Sequence, residues 1–335
     1  MPESVSVQQE SGGYKYQAFR LAAAVIPRVP IRFADPVARC VGLALWAAMP
    51  KARRLVDANL SRIPGLEYAE PRRKVARGVF QHLVLNYLDL FRVRRLTAAQ
   101  ILRGYSVDGE ELFRAALARG RGVILLSAHL GNFELATARL GLYGVPVTLP
   151  LEHIKPERLF ELICHLRTHH GIHLVPVDRK DSLRAMYAAL QRGEVLSLTV
   201  DRDVLGTGIE VPVFGAPARL PTGAVLLARR SGATVLWAGT WRDGRGRSRG
   251  AFLPVDLTTT DDSVPAAEDD GTTRATGRLR GQAALAQALR PVVALIEINV
   301  AAHPEQWMAA LTQMWPDSAA KEEGTPVTSP VDVRA

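Results

Sequence analysis

The sequence is poor in cysteine and in aromatic residues. Its 335 residues include two cysteines, Cys40 and Cys164, and only 6% are aromatic. Two thiols this far apart exclude a disulfide framework and a cysteine-based zinc site, and they fit a reducing compartment. Nucleic-acid readers usually show a recognisable module, or aromatic side chains interleaved with basic ones. The sequence has neither feature, so we expect no nucleic-acid partner.

Long apolar runs and a secretory signal are also missing from the sequence. The best candidate for a spanning segment, Cys40–Met49, lies between Arg39 and Pro50. It is shorter than the roughly 18 residues that a transmembrane helix needs. Residues 1–16 are polar and include acids, unlike a signal peptide. We therefore expect that, if the protein meets a membrane, it lies on the surface rather than crossing it.

Positive charge and a high apolar content are present instead. The net charge is +9, and 47% of the residues are hydrophobic against 22% charged. This composition predicts a packed globular protein, with enough residues for one large α/β domain or two modest ones. The positive charge favours anionic partners, namely nucleic acid, phospholipid headgroups or phosphorylated substrates.

Residues 14–105 have the apolar spacing of helices, interrupted by Pro27, Pro30 and Pro36. Lysine and arginine lie on the polar side of these predicted helices. Two interpretations of this basic face remain open at this point. It is either the solvated surface of a helical layer, or a surface that faces an anionic membrane through aromatic and aliphatic anchors beside basic residues.

From residue 106 onward, short apolar segments alternate with helical patterns. This alternation predicts the α/β class, with a mainly parallel central sheet that helices cover on both faces. The segment RDGRGRSRG is rich in glycine and arginine and is predicted to be a hairpin turn. The predicted strands are GVILLSA, VPVTLPL, IHLVPV, VLSLTVD, GIEVPVFG and TVLWAGTWR.

These patterns predict a single domain. The polar segment 256–277 has no period, so we predict a surface loop or a disordered insertion, and we predict disorder at both termini. The predicted boundaries are a disordered N-terminus at 1–13, a domain at 14–316 composed of a helical layer (14–105) and an α/β core (106–316), and a disordered tail at 317–335.

The segment SAHLGNFELA, Ser127–Ala136, follows a predicted strand and contains His129 and Glu134. Ligands of parallel sheets gather at the carboxyl ends of the strands. A histidine placed there can act as a general base, and a carboxylate can orient it. Gly131 suits the tight turn, and Asn132 suits the N-cap of the next helix. The simpler alternative is an ordinary turn histidine and a first-turn acid that the helix dipole favours.

Several segments, taken together, are similar to those of a known family. AHLGNFELA resembles an H-x-x-x-x-D/E signature, ANLSRI an early Arg…Asn-Leu element, and VFQHLVLNYLDLFR a helix before the sheet. The block LTVDRDVLGTGIEVPVFGAPARLPTGAVLLARRSGATVL and the closing HPEQWMAALTQMWP also match in type and order. Over roughly residues 20–316, the sequence resembles the bacterial lipid A late acyltransferases and the phosphatidylinositol mannoside acyltransferases, within the glycerolipid (lysophospholipid) acyltransferase superfamily. The polar insertion and the tail depart from the pattern.

The resemblance implies a membrane-associated enzyme that moves a fatty acyl chain from a thioester to a hydroxyl. His129 is then the candidate general base. Its acidic partner remains open between Glu210, which matches the partner in the mannoside acyltransferases, and Glu134, which matches the superfamily signature. Glu152 and Arg167 match positions along the active-site groove, where Arg167 could bind a phosphate or steady the oxyanion.

The resemblance also implies substrates and a location. The favoured donor is acyl-CoA, with acyl carrier protein as the alternative, and no further cofactor is implied. The acceptor is a glycolipid such as a phosphatidylinositol mannoside, with a lipid A-type acceptor as the alternative. The enzyme would lie peripherally on the anionic cytoplasmic face of the cell membrane. Candidate walls for its acyl tunnel, which are equally candidates for plain core, are Leu126, Leu130, Phe133 and Leu135.

Asp201, Arg202 and Asp203 follow a predicted strand and support a competing hypothesis. Two acids flanking one residue can hold a divalent cation on a nucleotide-sugar diphosphate, as in metal-dependent glycosyltransferases. In the acyltransferase interpretation these residues lie beside the groove, contact substrate and need no metal. The histidines of THHGIH lack the spacing and acids of a zinc site, so we expect no metal there. A non-catalytic membrane or nucleic-acid binder is the third class.

Overall fold

The computed structural model describes residues 13–169, 171–244, 246–257 and 273–315. These residues form eleven α-helices and nine β-strands. The helices are α1 (Gly13–Val25), α2 (Ile31–Ala48), α3 (Pro50–Leu60), α4 (Ala69–Val93), α5 (Ala98–Gly104), α6 (Glu110–Ala118), α7 (Phe133–Gly141), α8 (Glu157–Arg167), α9 (Ser182–Gln191), α10 (Gly223–Ser231) and α11 (Thr273–Ala302). The strands are β1 (Tyr105–Asp108), β2 (Val123–Ser127), β3 (Val147–Leu151), β4 (Ile172–Pro176), β5 (Val195–Thr199), β6 (Ile209–Val213), β7 (Ala216–Leu220), β8 (Thr234–Arg242) and β9 (Ser248–Pro254).

The first five helices lie between Gly13 and Gly104, in the stretch for which the sequence predicts helices (14–105), and Tyr105 already begins β1. Helix α2 lies against the long helix α4, and Gly42 permits their close approach. A Cβ atom at Gly42 would lie only 2.5 Å from the Cα of Gln81. Helices α1 and α2 leave large apolar side chains exposed to solvent rather than packed. These exposed side chains are Leu21, Val25, Ile31, Phe33, Val37, Val41 and Leu43.

The central sheet has seven strands in the order β1-β9-β8-β2-β5-β3-β4. Strand β2 pairs in parallel with β5 and β8, and β3 pairs in parallel with β4 and β5. Among the described strands of this sheet, β8 and β9 are the antiparallel neighbours. The predicted RDGRGRSRG turn, in which residue 245 is not described, lies between them. The predicted α/β class with a mainly parallel sheet is therefore confirmed.

The sequence missed three strands and misjudged the surroundings of a fourth. Strands β1, β7 and β9 carried no predicted pattern. The predicted strand GIEVPVFG corresponds to β6, but it lies outside the main sheet and pairs with β7 in a separate two-stranded antiparallel hairpin. The reason is its alternating burial: Val211 and Val213 are buried while Glu210 and Pro212 are exposed, whereas a central parallel strand is buried on both faces.

Strand β2 shows how the core sits on both sides of the sheet. Successive side chains of a strand point to opposite faces. Ile124 and Leu126 accordingly join the largest apolar cluster, while Val123 and Leu125 join a second cluster. All four are fully buried, so this strand is a rigid support for whatever follows its carboxyl end.

Helix α11 requires a correction to the expectation that nothing is long and apolar enough to span a membrane. Among the described residues, the segment Gly281–Ala302 passes that test by length and composition. One face of it, including Leu289, Val292 and Ile296, is nevertheless buried in the largest cluster. We interpret the segment as a helix of the protein core.

Some predicted boundaries fall outside the described residues. The segments predicted to be disordered, 1–13 and 317–335, lie outside the described residues except for Gly13, which begins α1. Most of the predicted insertion (258–272) is likewise outside them. Helix α11 already begins at Thr273, so the predicted loop at 256–277 extends too far: its last five positions, 273–277, belong to a helix.

Candidate active site

The carboxyl ends of three neighbouring strands position the candidate site. Strand β5 lies between β2 and β3 in the sheet, and these strands run parallel to one another. His129 follows β2, Asp201 follows β5, and Glu152 follows β3. Parallel strands end at the same edge of a sheet, so residues far apart in sequence meet there.

The turn after β2 separates His129 from helix α7. Gly131 has a φ of +65°, a left-handed conformation that glycine adopts without strain. A Cβ atom there would lie 2.4 Å from the carbonyl oxygen of Thr240, so the turn packs directly on strand β8. The side chain of Asn132 accepts a hydrogen bond from the Leu135 amide at 3.1 Å and caps α7. Both roles follow the sequence prediction.

His129 is hydrogen-bonded to Asp201, which the sequence analysis had assigned to substrate or metal rather than to the histidine. The imidazole Nδ1 lies 2.7 Å from Oδ1 of Asp201, and the His129 backbone amide donates to Oδ2 at 3.0 Å. A carboxylate only accepts, so Nδ1 must carry the proton of the neutral ring. Nε2 is then unprotonated, and it has no hydrogen-bond partner within the described part of the chain. The His129 side chain is 27% exposed, so this nitrogen can meet a substrate.

Asp201 is fully buried yet held in its charged form. Burial alone would raise the pKa of this carboxyl group. The charge that His129 carries when its ring is protonated, the hydrogen bonds of His129 and a hydrogen bond from Trp307 outweigh burial and lower the pKa below its usual range. The indole Nε1 of Trp307 donates to Oδ2 of Asp201 at 2.9 Å. The carboxylate therefore accepts three hydrogen bonds, enough to offset much of the cost of burying its charge.

Glu134 does not orient His129. It lies in the first turn of α7 and faces α8, where its carboxylate accepts from Arg167 Nη2 at 2.5 Å and from Arg167 Nε at 3.0 Å. The Glu134 side chain is 5% exposed and that of Arg167 is 23% exposed. Glu134 and His129 point apart because the turn at Gly131 changes the chain direction between them. The pair is a nearly buried ion pair between two helices.

Glu210, the other candidate partner, is also not hydrogen-bonded to His129. It is an exposed residue of β6, and its partner in the register of the hairpin is Arg219. Asp203 contacts the same hairpin. Its carboxylate accepts a hydrogen bond from the Gly208 amide at 2.8 Å and lies 3.5 Å from Arg219. Asp201 is thus the acid that is hydrogen-bonded to His129 Nδ1 in this structure, and the orienting role of Glu210 stays a prediction.

Glu152 and Arg202 form a further pair at the same sheet edge. Arg202 Nη2 donates to Glu152 Oε2 at 3.0 Å, and both side chains are partly exposed. The structure thus joins the predicted site residues as His129 with Asp201, Glu134 with Arg167, and Glu152 with Arg202.

The arrangement of the two aspartates does not resemble a metal site. Both oxygens of Asp201 are taken up by protein donors, and Asp203 is engaged with its own hairpin. Over the described ranges, no group of three or more His, Cys, Asp or Glu side chains could hold a metal ion. Of the histidines in THHGIH, His170 lies outside those ranges.

The candidate tunnel residues divide between core and surface. Leu126 and Leu130 are buried in the largest apolar cluster, so they are plain core. Leu135 is partly buried against a smaller cluster near Val93 and Ile101. Phe133 is partly exposed and lies under the guanidinium of Arg167, with 5.9 Å between the Cζ atom and the ring centroid.

Residues near the C-terminus of the domain complete the site, and the sequence analysis gave them no role. Trp307 binds Asp201, and Gln306 binds the backbone of Arg242 through both atoms of its amide, at 2.7 Å and 3.1 Å. The segment HPEQWM enters the sequence analysis only through the family resemblance. A tryptophan between Gln306 and Met308 carries no pattern from which its partner could be deduced.

Known proteins have sequences similar to most of this chain. A sequence model of the family described as bacterial lipid A biosynthesis acyltransferase matches residues 17–315. A phosphatidylinositol mannoside acyltransferase of Mycobacterium tuberculosis is 26% identical over 307 residues, which cover 90% of this chain and 88% of that protein. The protein of the same name from Mycolicibacterium smegmatis is 24% identical over 220 residues, covering 65% and 72%. The lipid A biosynthesis lauroyltransferase of Escherichia coli is 28% identical over 193 residues, covering 56% and 61%.

Proposed function

The chain belongs to the bacterial lipid A biosynthesis acyltransferase family and is an acyltransferase, and from this premise we propose its reaction. It transfers a fatty acyl chain from acyl-CoA to a hydroxyl of a glycolipid such as a phosphatidylinositol mannoside. The observation that carries this proposal is the His129–Asp201 pair, which leaves an unprotonated, accessible Nε2 at the carboxyl edge of the sheet.

His129 acts as the general base in the proposed reaction. An alcohol is a weak nucleophile at neutral pH, so Nε2 takes its proton as the oxygen attacks the thioester carbonyl. The carbon–sulfur bond then breaks, and the imidazolium returns the proton to the departing thiolate. The products are an ester and free CoA thiol. Asp201 keeps the proton on Nδ1 and stabilises the imidazolium that forms between the two steps.

The remaining site residues support binding in this proposal. Glu152 and Arg202 form a partly exposed pair beside His129, so either can hydrogen-bond a sugar hydroxyl or, for Arg202, a phosphate. Arg167 is largely engaged by Glu134 and serves mainly to hold α8 on α7. The resemblance implies that Glu210 orients His129, and we propose instead that Glu210 contacts substrate from the exposed hairpin, because Asp201 is the partner of Nδ1.

The exposed apolar side chains of α1 and α2 support peripheral docking on an anionic membrane. Phe33 and Val37 are 56% and 61% exposed, and Arg32 lies over the Phe33 ring at 4.8 Å. Apolar anchors beside basic residues suit the interface of an anionic bilayer. Beside this face, a groove of about 290 Å³ between α1, α4 and α8 is lined by Arg94, Arg95 and His165 above an apolar floor. We place this surface against the cytoplasmic leaflet.

The relatives support a mannoside acceptor more than lipid A. The two mycobacterial proteins are named phosphatidylinositol mannoside acyltransferases, and the Mycobacterium tuberculosis protein aligns over most of both chains. The lauroyltransferase aligns over a shorter part. Lipid A-type transfer from acyl carrier protein remains the second candidate because of that similarity.

The test is to incubate the purified chain with a long-chain acyl-CoA and vesicles containing one candidate acceptor at a time. Mass spectrometry of the extracted lipids should show a product heavier than the acceptor by one fatty acid less one water. Free CoA thiol should appear in equal amount. Acyl carrier protein loaded with the same chain and a lipid A precursor form the competing arms. Transfer in only those arms would replace the proposed substrates.

The matched control is His129→Ala in the same assay. We expect the rate to fall by on the order of 10³-fold, because a positioned general base contributes about 10²–10⁴-fold. Circular dichroism should be unchanged, since the side chain is partly exposed and outside the core. Full turnover in this variant would remove His129 from the reaction. A chelator should not change the rate, whereas a metal-dependent glycosyltransferase would lose activity.

A further inference from the structure

The carboxylate of Asp201 is fixed from two directions. His129 contacts it on one side through its amide and its Nδ1, at 3.0 Å and 2.7 Å. Trp307 contacts it from the other side through its indole N–H, at 2.9 Å. Trp307 is completely buried, so this donor has no contact with solvent and cannot touch a substrate.

Trp307 belongs to a short segment that also holds the backbone of the catalytic turn. We call Gln306–Met308 the C-terminal strap. The Met308 amide donates to the His129 carbonyl at 2.7 Å, and the Gly131 amide donates to the Gln306 carbonyl at 3.2 Å. Leu130 and Trp307 form an antiparallel bridge. The strap thus pairs with the turn like a short strand, although the two lie far apart in the sequence.

We infer that Trp307 is a positioning residue of the catalytic base, which it controls through Asp201. Its N–H and the His129 amide both bind Oδ2, so together they direct Oδ1 at His129 Nδ1 and restrain rotation of the carboxylate. The inference rests on the proposed role of His129. It adds that the acid is held by a residue from the end of the domain, and that the base is assembled only when the strap is docked.

If Trp307 only filled the core, replacing it would affect activity no more than replacing another buried tryptophan of the same cluster. Trp307 packs edge-on against Trp315, with 6.3 Å between the ring centroids. Both belong to the same apolar cluster and both are almost fully buried. The N–H of Trp315, however, donates to the backbone carbonyl of Ala216 at 3.3 Å. Trp315 is therefore a matched control: it has the same side chain in the same cluster, but no contact with the Asp201 carboxylate.

The experiment compares Trp307→Phe with Trp315→Phe. Both variants should lower the unfolding temperature by similar amounts, since each leaves a small void in the core. Only Trp307→Phe should lower kcat, by about tenfold, because a hydrogen bond to a charged group is lost. It should also move the acidic limb of the pH–rate profile, because the Asp201 carboxylate loses the hydrogen bond from the indole N–H. Equal kcat values and superimposable pH profiles in the two variants would overturn the inference.

A double variant tests whether Trp307 acts through Asp201. If it does, adding Trp307→Phe to Asp201→Asn should cause little further loss of kcat, because groups that act as one unit are not additive. Losses that multiply would show an independent role and contradict the inference. Should Trp307→Phe fail to fold, a benzothienylalanine at position 307 removes only the N–H and keeps the ring shape, and the same kcat and pH comparisons apply.

A measurement without substrate separates this inference from the proposed function. In protein labelled with ¹⁵N-histidine, the proton on His129 Nδ1 should give a low-field signal that His129→Ala removes. Trp307→Phe should shift or broaden that signal, and Trp315→Phe should leave it in place. An unchanged signal in Trp307→Phe overturns the positioning role even if acyl transfer is confirmed. A shifted signal supports it even if the proposed acceptor proves wrong.

Discussion

His129 and Glu134 belong to one short segment, yet the structure uses them in two different environments. At the strand end, His129 is partly exposed and bonded to a buried aspartate from a neighbouring strand. At the helix start, Glu134 is nearly buried and bonded to an arginine of the next helix. At the strand end, Nε2 of His129 is accessible to a substrate. At the helix start, the charges of Glu134 and Arg167 are paired with each other.

The difference shows that spacing along the chain does not identify the partner of a catalytic base. The turn at Gly131 separates the two side chains, and the sheet order then decides what each one meets. Strand β5 adjoins β2, so the residue after β5 reaches His129. Helix α8 adjoins α7 through Arg167, so Glu134 meets a cation there. The proposed chemistry is therefore concentrated at the strand end, and the helix start contributes an ion pair between α7 and α8.

Asp201→Asn should produce the largest effect that separates the two regions. An amide can present its NH₂ to Nδ1 and so favour the wrong imidazole tautomer, which should lower kcat by on the order of 10³-fold. Steady-state kinetics with acyl-CoA and the identified acceptor measure this loss. Asp203→Asn is the matched control, because this acid follows two positions later and, among the described residues, contacts Gly208 and Arg219 rather than His129. Comparable losses of kcat in both variants would mean that the loop, rather than the His129–Asp201 bond, is what matters.

Glu134→Gln should have its main effect on stability. Removing the charge of a nearly buried pair leaves Arg167 uncompensated and should cost about 3 kcal/mol of unfolding free energy, with kcat reduced less than about tenfold. Urea denaturation and kinetics on the same samples measure both quantities. The double variant Glu134→Gln/Arg167→Met should recover part of the lost stability. A loss of kcat as large as that of Asp201→Asn, at unchanged stability, would put Glu134 into the reaction.

Local features of the site could be predicted from the sequence. The apolar run before His129 indicates the strand end, Gly131 the turn, and Asn132 the cap of α7, and each has that role in the structure. The alternation of strands and helices after residue 106 likewise indicates the parallel sheet. These features depend on neighbours in the sequence, and local periodicity and turn chemistry record them.

The partners could not be predicted because strand order determines them. Asp201 lies 72 positions from His129, and two further strands intervene in the chain before β5 takes its place beside β2. Trp307 comes from a segment beyond the last helix. Neither relation leaves a period or a spacing in the sequence. The resemblance directed attention to Glu134 and Glu210, which are acids of the right type on elements that face elsewhere.

Glu210→Gln tests the acid that the family resemblance favoured. The structure gives His129 Nδ1 to Asp201, so we expect a smaller loss of kcat from Glu210→Gln than from Asp201→Asn, and a larger change in KM if the hairpin contacts substrate. Both variants are compared over a range of acceptor concentrations. A loss of kcat that equals that of Asp201→Asn would return an essential acid role to Glu210, acting on the opposite face of the imidazole in the substrate complex.

Asn132 lies between His129 and Glu134 in the sequence, and Asn132→Ala should have the smallest effect on stability and rate. The substitution removes the cap of α7 and the hydrogen bond from Asn132 to Ser248 Oγ at 3.1 Å. Loss of such a cap costs about 1 kcal/mol of unfolding free energy. The rate at temperatures well below unfolding should change by less than about threefold, because Asp201 and the C-terminal strap hold His129 from outside the helix.

Asn132→Asp separates the cap from the rest of this effect. An aspartate keeps the capping oxygen and suits the positive end of the helix dipole, so it should restore most of the stability lost in Asn132→Ala. Urea denaturation measures the stability, and the initial rate of CoA release measures the activity. Asn132→Ala would act like Asp201→Asn only if the helix start and the strand end depended on each other. A rate reduced as strongly as in Asp201→Asn, with normal unfolding, would therefore contradict the separate roles of His129 in the reaction and Glu134 in stability.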